Sequence, residues 1–331
     1  MNHLGKLIFA LTLVGMAQLC ASPALLNVSY DITQEFYKEY DAAFVAHWKK
    51  ATPGDALTIR LSHGETSKQM RSVIDGLPAD VVTMNSVPEI DRLAEAHLIP
   101  ADWAKRLPNK SVPFTSTIVF VVRKGNPKGI KDWPDLVRDG VAVITPNPKS
   151  TGNGRCSYLA AWIYALQRPG GNEAGARDFV KQLFSHVPAL DNSGRMATMT
   201  FAQRGTGDVL LTFENEAARL LEDLGPDAAE IVVPSVSILA ENPVAWVDAN
   251  VKKNGTEVAA KAYLEFLFSP ESQELAAKHY LRPIDPKAAA KYPGRFPDIL
   301  LVSVAKVFGS WEDAQKTHFA DGGMFDQVTA K

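Results

Sequence analysis

Val141-Ala142-Val143-Ile144, followed by Asn147-Pro148-Lys149-Ser150-Thr151-Gly152-Asn153-Gly154-Arg155, decides how this chain is read. An apolar strand pattern gives way to a loop of small and polar residues. A helix is expected from about Asn153, with Leu159, Trp162, Ile163 and Leu166 on one face. The first turn of such a helix has N–H groups without intrahelical acceptors and the positive end of the helix dipole. Glycine lets that backbone approach an oxyanion closely. The stretch lacks the Gly-x-x-x-x-Gly-Lys-Ser/Thr spacing of a nucleotide phosphate loop. Read alone, an ordinary strand-to-helix turn accounts for it; an anion cradle needs support from elsewhere in the chain.

That support comes from the alternation around it. Short apolar strand patterns at Leu25–Tyr30, Leu57–Leu61 and Asp80–Met84 are separated by helical ones, which predicts an α/β fold with mostly parallel sheets flanked by helices. Phe36, Tyr40, Phe44 and Trp48, at steps of four, form a stripe read as core. A helix over about Ser67 to Ile74 ends at Gly76-Leu77-Pro78, and Ser269-Pro270-Glu271 starts another with a cap and a first-turn proline. Thr256 is expected to cap a helix over Glu257–Phe268. The β-branched run Thr117–Val122 and the later pair Glu230–Val233 and Pro243–Val247 read as crossovers between two lobes. The first lobe would comprise residues 25–112 plus about 235–331, and the second about 113–234.

Residues 1–24 read as a secretory leader: Lys6, an uncharged run Leu7–Ala17, and small residues at Ala21, Ser22 and Ala24. That run is too short to span a bilayer, which takes about 20 residues. Removing 24 of 331 residues leaves 307, enough for two substantial cores, and takes the net charge from −2 to −3 by loss of Lys6. Such a balance gives no support for nucleic-acid or charged-membrane partners. Cys156 alone survives processing, which leaves no intramolecular disulfide. The seven histidines show no metal-ligand spacing such as His-x₃-His. The expectation is an exported, periplasmic protein that is monomeric and without metal or cofactor.

Four segments share one design of strand end, small polar residues and helix start. They are Ser29-Tyr30-Asp31-Ile32-Thr33, Ser62-His63-Gly64-Glu65-Thr66-Ser67-Lys68, the 150–155 loop, and Asp191-Asn192-Ser193-Gly194-Arg195. Thr66 is expected to cap the second helix. In open α/β sheets ligands sit beyond the carboxyl ends of the strands. Four helix starts facing one cleft would make a donor-rich cavity that needs no lysine or arginine in contact.

The sequence resembles the periplasmic sulfate- and thiosulfate-binding proteins that deliver anions to an ABC importer. Matching stretches include Leu25-Leu26-Asn27-Val28-Ser29-Tyr30-Asp31, Asp80-Val81-Val82-Thr83, Arg123-Lys124-Gly125-Asn126-Pro127-Lys128 and Thr145-Pro146-Asn147-Pro148-Lys149. Gln315-Lys316-Thr317-His318-Phe319 and Gly322-Gly323-Met324-Phe325-Asp326 extend the match to nearly the whole mature chain. The resemblance implies a type II two-lobe periplasmic-binding-protein fold whose lobes close by a hinge on a fully ionised tetrahedral dianion. It implies ligand contacts from Asp31, Thr66, Gly152, Asn153, Gly194 and Phe213. His63, Arg155 and Arg195 would stand behind them and polarise the peptide units that touch the anion; for each arginine a surface or inter-loop salt bridge is the competing reading. A membrane permease would be the partner.

Three positions depart from the pattern. Phe213 stands where sulfate binders carry a tryptophan N–H donor, and phenylalanine has no donor. A neutral donor contributes roughly 0.5–1.5 kcal/mol net, so sulfate affinity would fall unless the donor is replaced; the thiosulfate-binding relatives resemble this chain better there and at Gly152-Asn153. Glu65 stands where relatives have glycine. Turned outward, it would favour the next helix N-terminus; turned inward, it would suit a protonated oxyanion such as phosphate. Cys156 replaces an aromatic and reads as a small core filler. Two alternatives stay open: binding of another oxyanion such as phosphate or molybdate, and a secreted ester hydrolase, for which Cys156 and His63 are the one visible pair.

Overall fold

The computed structural model describes residues 24–225 and 228–330. The expected leader lies outside the described residues except for Ala24, which opens the first strand. Strand Ala24–Tyr30 lies between Thr58–Gly64 and Val81–Thr83, parallel to both, and Val244–Trp246 adds an antiparallel edge beside Val81–Thr83. Adjacent residues of a strand face opposite sides, so this sheet buries two faces. One carries Leu25 and Val81 against helix Gln34–Ala51, where Phe36, Tyr40, Phe44 and Trp48 are all buried. The other carries Val28 and Val82 against Met70, Val73, Ile90 and Leu93 of helices Thr66–Ile74 and Val87–Glu95.

The second sheet is ordered Leu190–Asp191, Val143–Pro146, Val209–Phe213, Ile118–Arg123, Ala229–Val232. Its first three strands run parallel, and Ile118–Arg123 is antiparallel to both neighbours. Phe120, Val122, Val143 and Leu211 face helices Gly152–Gln167 and Glu173–Ser185, while Val119, Val121, Ile144 and Leu210 face helices Gly194–Ala202 and Glu214–Leu224. Each sheet is therefore parallel where strand and helix alternate, and antiparallel where the chain enters or leaves the lobe.

The chain passes from the first sheet to the second through Phe114–Ser116 and Ile118–Arg123, and returns through Val236–Ile238 and Ala240–Glu241. Ala240–Glu241 and Arg282–Pro283 both pair antiparallel with Phe114–Ser116, tying the outward and return segments together. One boundary differs from expectation. Residues 300–329 do not belong to the first lobe: Leu300–Val302 runs parallel to Val236–Ile238, and Trp311, Ala314, Phe319, Phe325 and Val328 join the cluster of Trp162, Phe179 and Leu183. The reason is helix Gly152–Gln167, which is apolar nearly all round and needs cover on the side away from its sheet. Thr256 also departs from its expected role, since its hydroxyl donates to Asp80 and makes no capping bond. Ser269 caps as expected, accepting from Ser272 N at 3.2 Å ahead of Pro270.

The aromatic stripe yields a first prediction. Phe44 is fully buried between Tyr40, Tyr263 and Phe266, so Phe44→Ala should cost about 3–5 kcal/mol in a denaturant titration. A cost below about 1 kcal/mol would show that the stripe does not carry the lobe. His318 yields a second. Packed among Tyr158, Trp162 and Phe308, its ring is pushed by burial to a pKa of about 4, below the usual value of 6.5. The folded chain then binds fewer protons than the unfolded one between those values, so this contribution is full above pH 6.5 and lost as pH falls toward 4. The unfolding temperature of the wild type should drop relative to His318→Gln over that interval, by on the order of a few degrees; parallel curves would show that the ring is not held neutral.

Candidate functional site

Each lobe offers its strand ends to one small polar cavity between them. From the first lobe come Asp31 and Ile32 in the turn Asp31–Thr33, Glu65 and Thr66 at the start of helix Thr66–Ile74, and Asn85. From the second come Thr151 and Asn153 at the start of helix Gly152–Gln167, and Ser193 and Gly194 at the start of helix Gly194–Ala202. The four repeated junctions thus meet in one place, beyond the carboxyl ends of strands Ala24–Tyr30, Thr58–Gly64, Val143–Pro146 and Leu190–Asp191.

The cavity wall is mainly backbone, and local chemistry explains why. Thr151 accepts from Gly154 N at 2.8 Å, and Ser193 accepts from Met196 N at 3.1 Å. Each cap satisfies a later N–H of its turn and leaves the earlier ones free. The N–H groups of Thr66, Gly152, Asn153 and Gly194 have no acceptor among the described residues. Gly154 is required by close approach, since a Cβ there would lie 2.5 Å from the Pro146 carbonyl oxygen. Gly152 is required by the opposite lobe, since its Cβ would lie 2.1 Å from Asn85 Oδ1. The Asn153 side chain turns to its own lobe, donating to Thr212 Oγ1 at 3.1 Å.

The carboxylates at the cavity bind backbone N–H groups. Glu65, not Thr66, caps helix Thr66–Ile74: its oxygens accept from Ser67 N at 2.8 Å and Lys68 N at 3.1 Å. The outward reading of Glu65 therefore holds, although burial raises its pKa above the ordinary value. Asp31 accepts from Arg195 N at 3.1 Å; burial raises its pKa, and its neighbours Ser193 and Arg195 oppose the rise.

The charged side chains behind the wall pair across the lobes. Arg155, fully buried, reaches Glu89 of helix Val87–Glu95, which also accepts from Ser67 Oγ at 2.9 Å and Arg92 at 3.1 Å. Arg195 lies 3.3 Å from Glu35 and 3.6 Å from Glu216, whose pKa burial pushes up to about 7 against the pull of Arg195. Both arginines are thus inter-lobe salt bridges set directly behind the helix starts.

Three expectations need correction. His63 does not polarise a peptide unit: burial pushes its pKa down to about 4, its Nε2 has no hydrogen-bond partner, and its ring lies 6.1 Å from Tyr37. Phe213 brings the cavity no hydrogen-bond donor: its ring is buried in the apolar cluster with Tyr30, Ile118 and Ile32, the last of which lines the cavity. Thr66 lines the cavity without capping, for the reason given. Cys156 is a core filler, fully buried with its thiol pushed up to about 12, which removes the Cys156–His63 pair as a nucleophile and base. Sequence reasoning missed Thr151 and Ser193, although a hydroxyl three residues before the capped N–H was a readable signal in each. It also missed Asn85, which follows a strand without the repeated loop pattern.

Comparison with known proteins agrees with this architecture. The profile of the family described as bacterial extracellular solute-binding protein matches residues 28–282. The thiosulfate-binding protein of Pseudomonas aeruginosa is 57% identical over 309 residues, covering 93% of this chain and 92% of that protein. The sulfate-binding protein of Escherichia coli K12 is 54% identical, covering 93% of each. Among solved structures, the sulfate-binding protein SubI of Mycobacterium tuberculosis superposes with a TM-score of 0.80 at 34% identity, over 90% of this chain and 99% of that one. The chain belongs to the bacterial extracellular solute-binding proteins, in the group that includes the sulfate- and thiosulfate-binding proteins.

Proposed function

We propose that this protein captures a fully ionised tetrahedral sulfur oxyanion, sulfate or thiosulfate, between its lobes and delivers it to the permease of an ABC importer. The observation that carries this reading is the convergence of three helix starts and the Asp31–Thr33 turn on one cavity, with N–H groups of Thr66, Gly152, Asn153 and Gly194 left without protein acceptors. Such groups stabilise an anion through partial charges already in place. Arg155 and Arg195 sit behind the helix starts paired with Glu89, Glu35 and Glu216, so neither leaves an unpaired positive charge beside the site to hold any passing anion.

The same wall disfavours phosphate. A protonated oxyanion needs an acceptor aimed at its hydrogen, and the Glu65 and Asp31 carboxylates are instead directed at backbone N–H groups of the helix starts. Leaving a buried P–OH unpaired carries a desolvation cost. The protein acts by closing, not by chemistry: an anion touching both lobes favours the closed form, and the permease reads that form. The secretory leader read in residues 1–24 supports export to the periplasm. No helix of the described residues is long and apolar enough to cross a membrane.

Titration calorimetry of anion-stripped protein at pH 7.5 tests the reading. Sulfate and thiosulfate should each bind saturably at one site, and phosphate should bind roughly a hundredfold more weakly or worse. Phosphate binding as tightly as the sulfur anions, or no heat from either of them, would refute it. Gly152→Ala probes the contact between lobes. Its methyl group meets Asn85 Oδ1 at 2.1 Å, so affinity should fall about tenfold or more, with the unfolding temperature of the anion-free protein nearly unchanged. Wild-type affinity in that variant would show that binding does not require the lobes to come this close.

A further inference from the structure

We infer that Asn85 is an anion-binding residue, donating its side-chain amide to an oxygen of the bound anion from the first lobe. This rests on the oxyanion reading above and names a contact that the repeated helix starts do not supply. Asn85 follows strand Val81–Thr83, is only 3% exposed, and lines the cavity. Its Oδ1 accepts the Thr66 hydroxyl at 3.2 Å, while its Nδ2 donates to no acceptor among the described residues. The residue lines the cavity, and its amide nitrogen is not among the fully buried polar atoms left without a partner, so this donor is open to the cavity. It is placed to meet an acceptor that arrives with the ligand.

The Thr66 hydroxyl could meet either end of the amide, donating to Oδ1 or accepting from Nδ2. In the arrangement seen it donates to Oδ1, which leaves Nδ2 without a protein acceptor among the described residues. The reversed amide would turn its carbonyl oxygen toward a dianion, which is repulsive. Anion binding therefore selects the arrangement seen. The same oxygen abuts Gly152 of the opposite lobe, so Asn85 sits where the first lobe meets the free N–H groups of helix Gly152–Gln167. It supplies a side-chain donor at a site where Phe213, buried in the core, offers none. Sulfate and thiosulfate share the oxygens an amide would reach, so both should depend on Asn85.

Calorimetry of Asn85→Leu and Asn85→Asp beside the wild type tests this. Leucine keeps the size and removes the donor; aspartate keeps the acceptor for Thr66, removes the donor and adds a negative charge. Asn85→Leu should weaken both anions roughly ten- to hundredfold, and Asn85→Asp should weaken them further. Wild-type affinity in Asn85→Leu would overturn the inference. Should either variant fail to fold, side-chain amide NMR of the ¹⁵N-labelled wild type decides. The Asn85 amide protons should move downfield on saturation with sulfate, and unmoved signals would overturn the assignment. A wild-type protein that binds neither anion would instead refute the functional reading on which the inference stands.

Discussion

A dianion taken out of water must recover its lost hydration from groups already aimed at it, and that constraint shapes this molecule more than any other. Backbone N–H groups at helix starts meet it without reorganisation and without adding a titratable charge. The requirement explains why three helices begin at one cavity, each directly after a strand, and why glycine or a small polar residue occupies every first turn. It also explains the caps. Glu65, Thr151 and Ser193 each engage the second or third N–H of their helix and leave the first ones for the ligand.

The charges behind the wall follow from the same constraint. Arg155 and Glu89 are both fully buried, and so close a pair in a dry interior is costly to form from hydrated partners. Its value lies in geometry: each partner belongs to a different lobe, so the pair exists only when the cleft is shut. Arg195 repeats the arrangement with Glu35, while its backbone N–H is bound by Asp31. On the proposed function, closure would assemble the anion site and the buried ion pairs together, making the shut state discrete and giving an importer something to recognise.

The α/β class, the two lobes and the four converging loops were legible in the sequence because they rest on local signals: apolar periodicity and small polar residues after strands. What escaped was decided by tertiary context. The segment 300–329 moved to the second lobe because helix Gly152–Gln167 needed apolar cover on its far side. Phe213 carries the motif position of a ligand contact, but its buried ring has no donor to offer there. His63 is half-buried, burial lowers its pKa, and its Nε2 has no hydrogen-bond partner, so it makes no contact through that nitrogen with a peptide unit. Asn85 went unread because a single asparagine after a strand has no pattern around it; only its position between Thr66 and Gly152 gives it meaning.

The central claim is that one anion bridges both lobes and so favours the shut form. Small-angle X-ray scattering of the anion-stripped protein, alone and then saturated with sulfate or thiosulfate, tests it most directly. The radius of gyration should fall on saturation with either sulfur anion and stay unchanged with the same concentration of chloride. Saturable binding with an unchanged radius would contradict closure around the anion, and with it the role assigned to the buried pairs between the lobes.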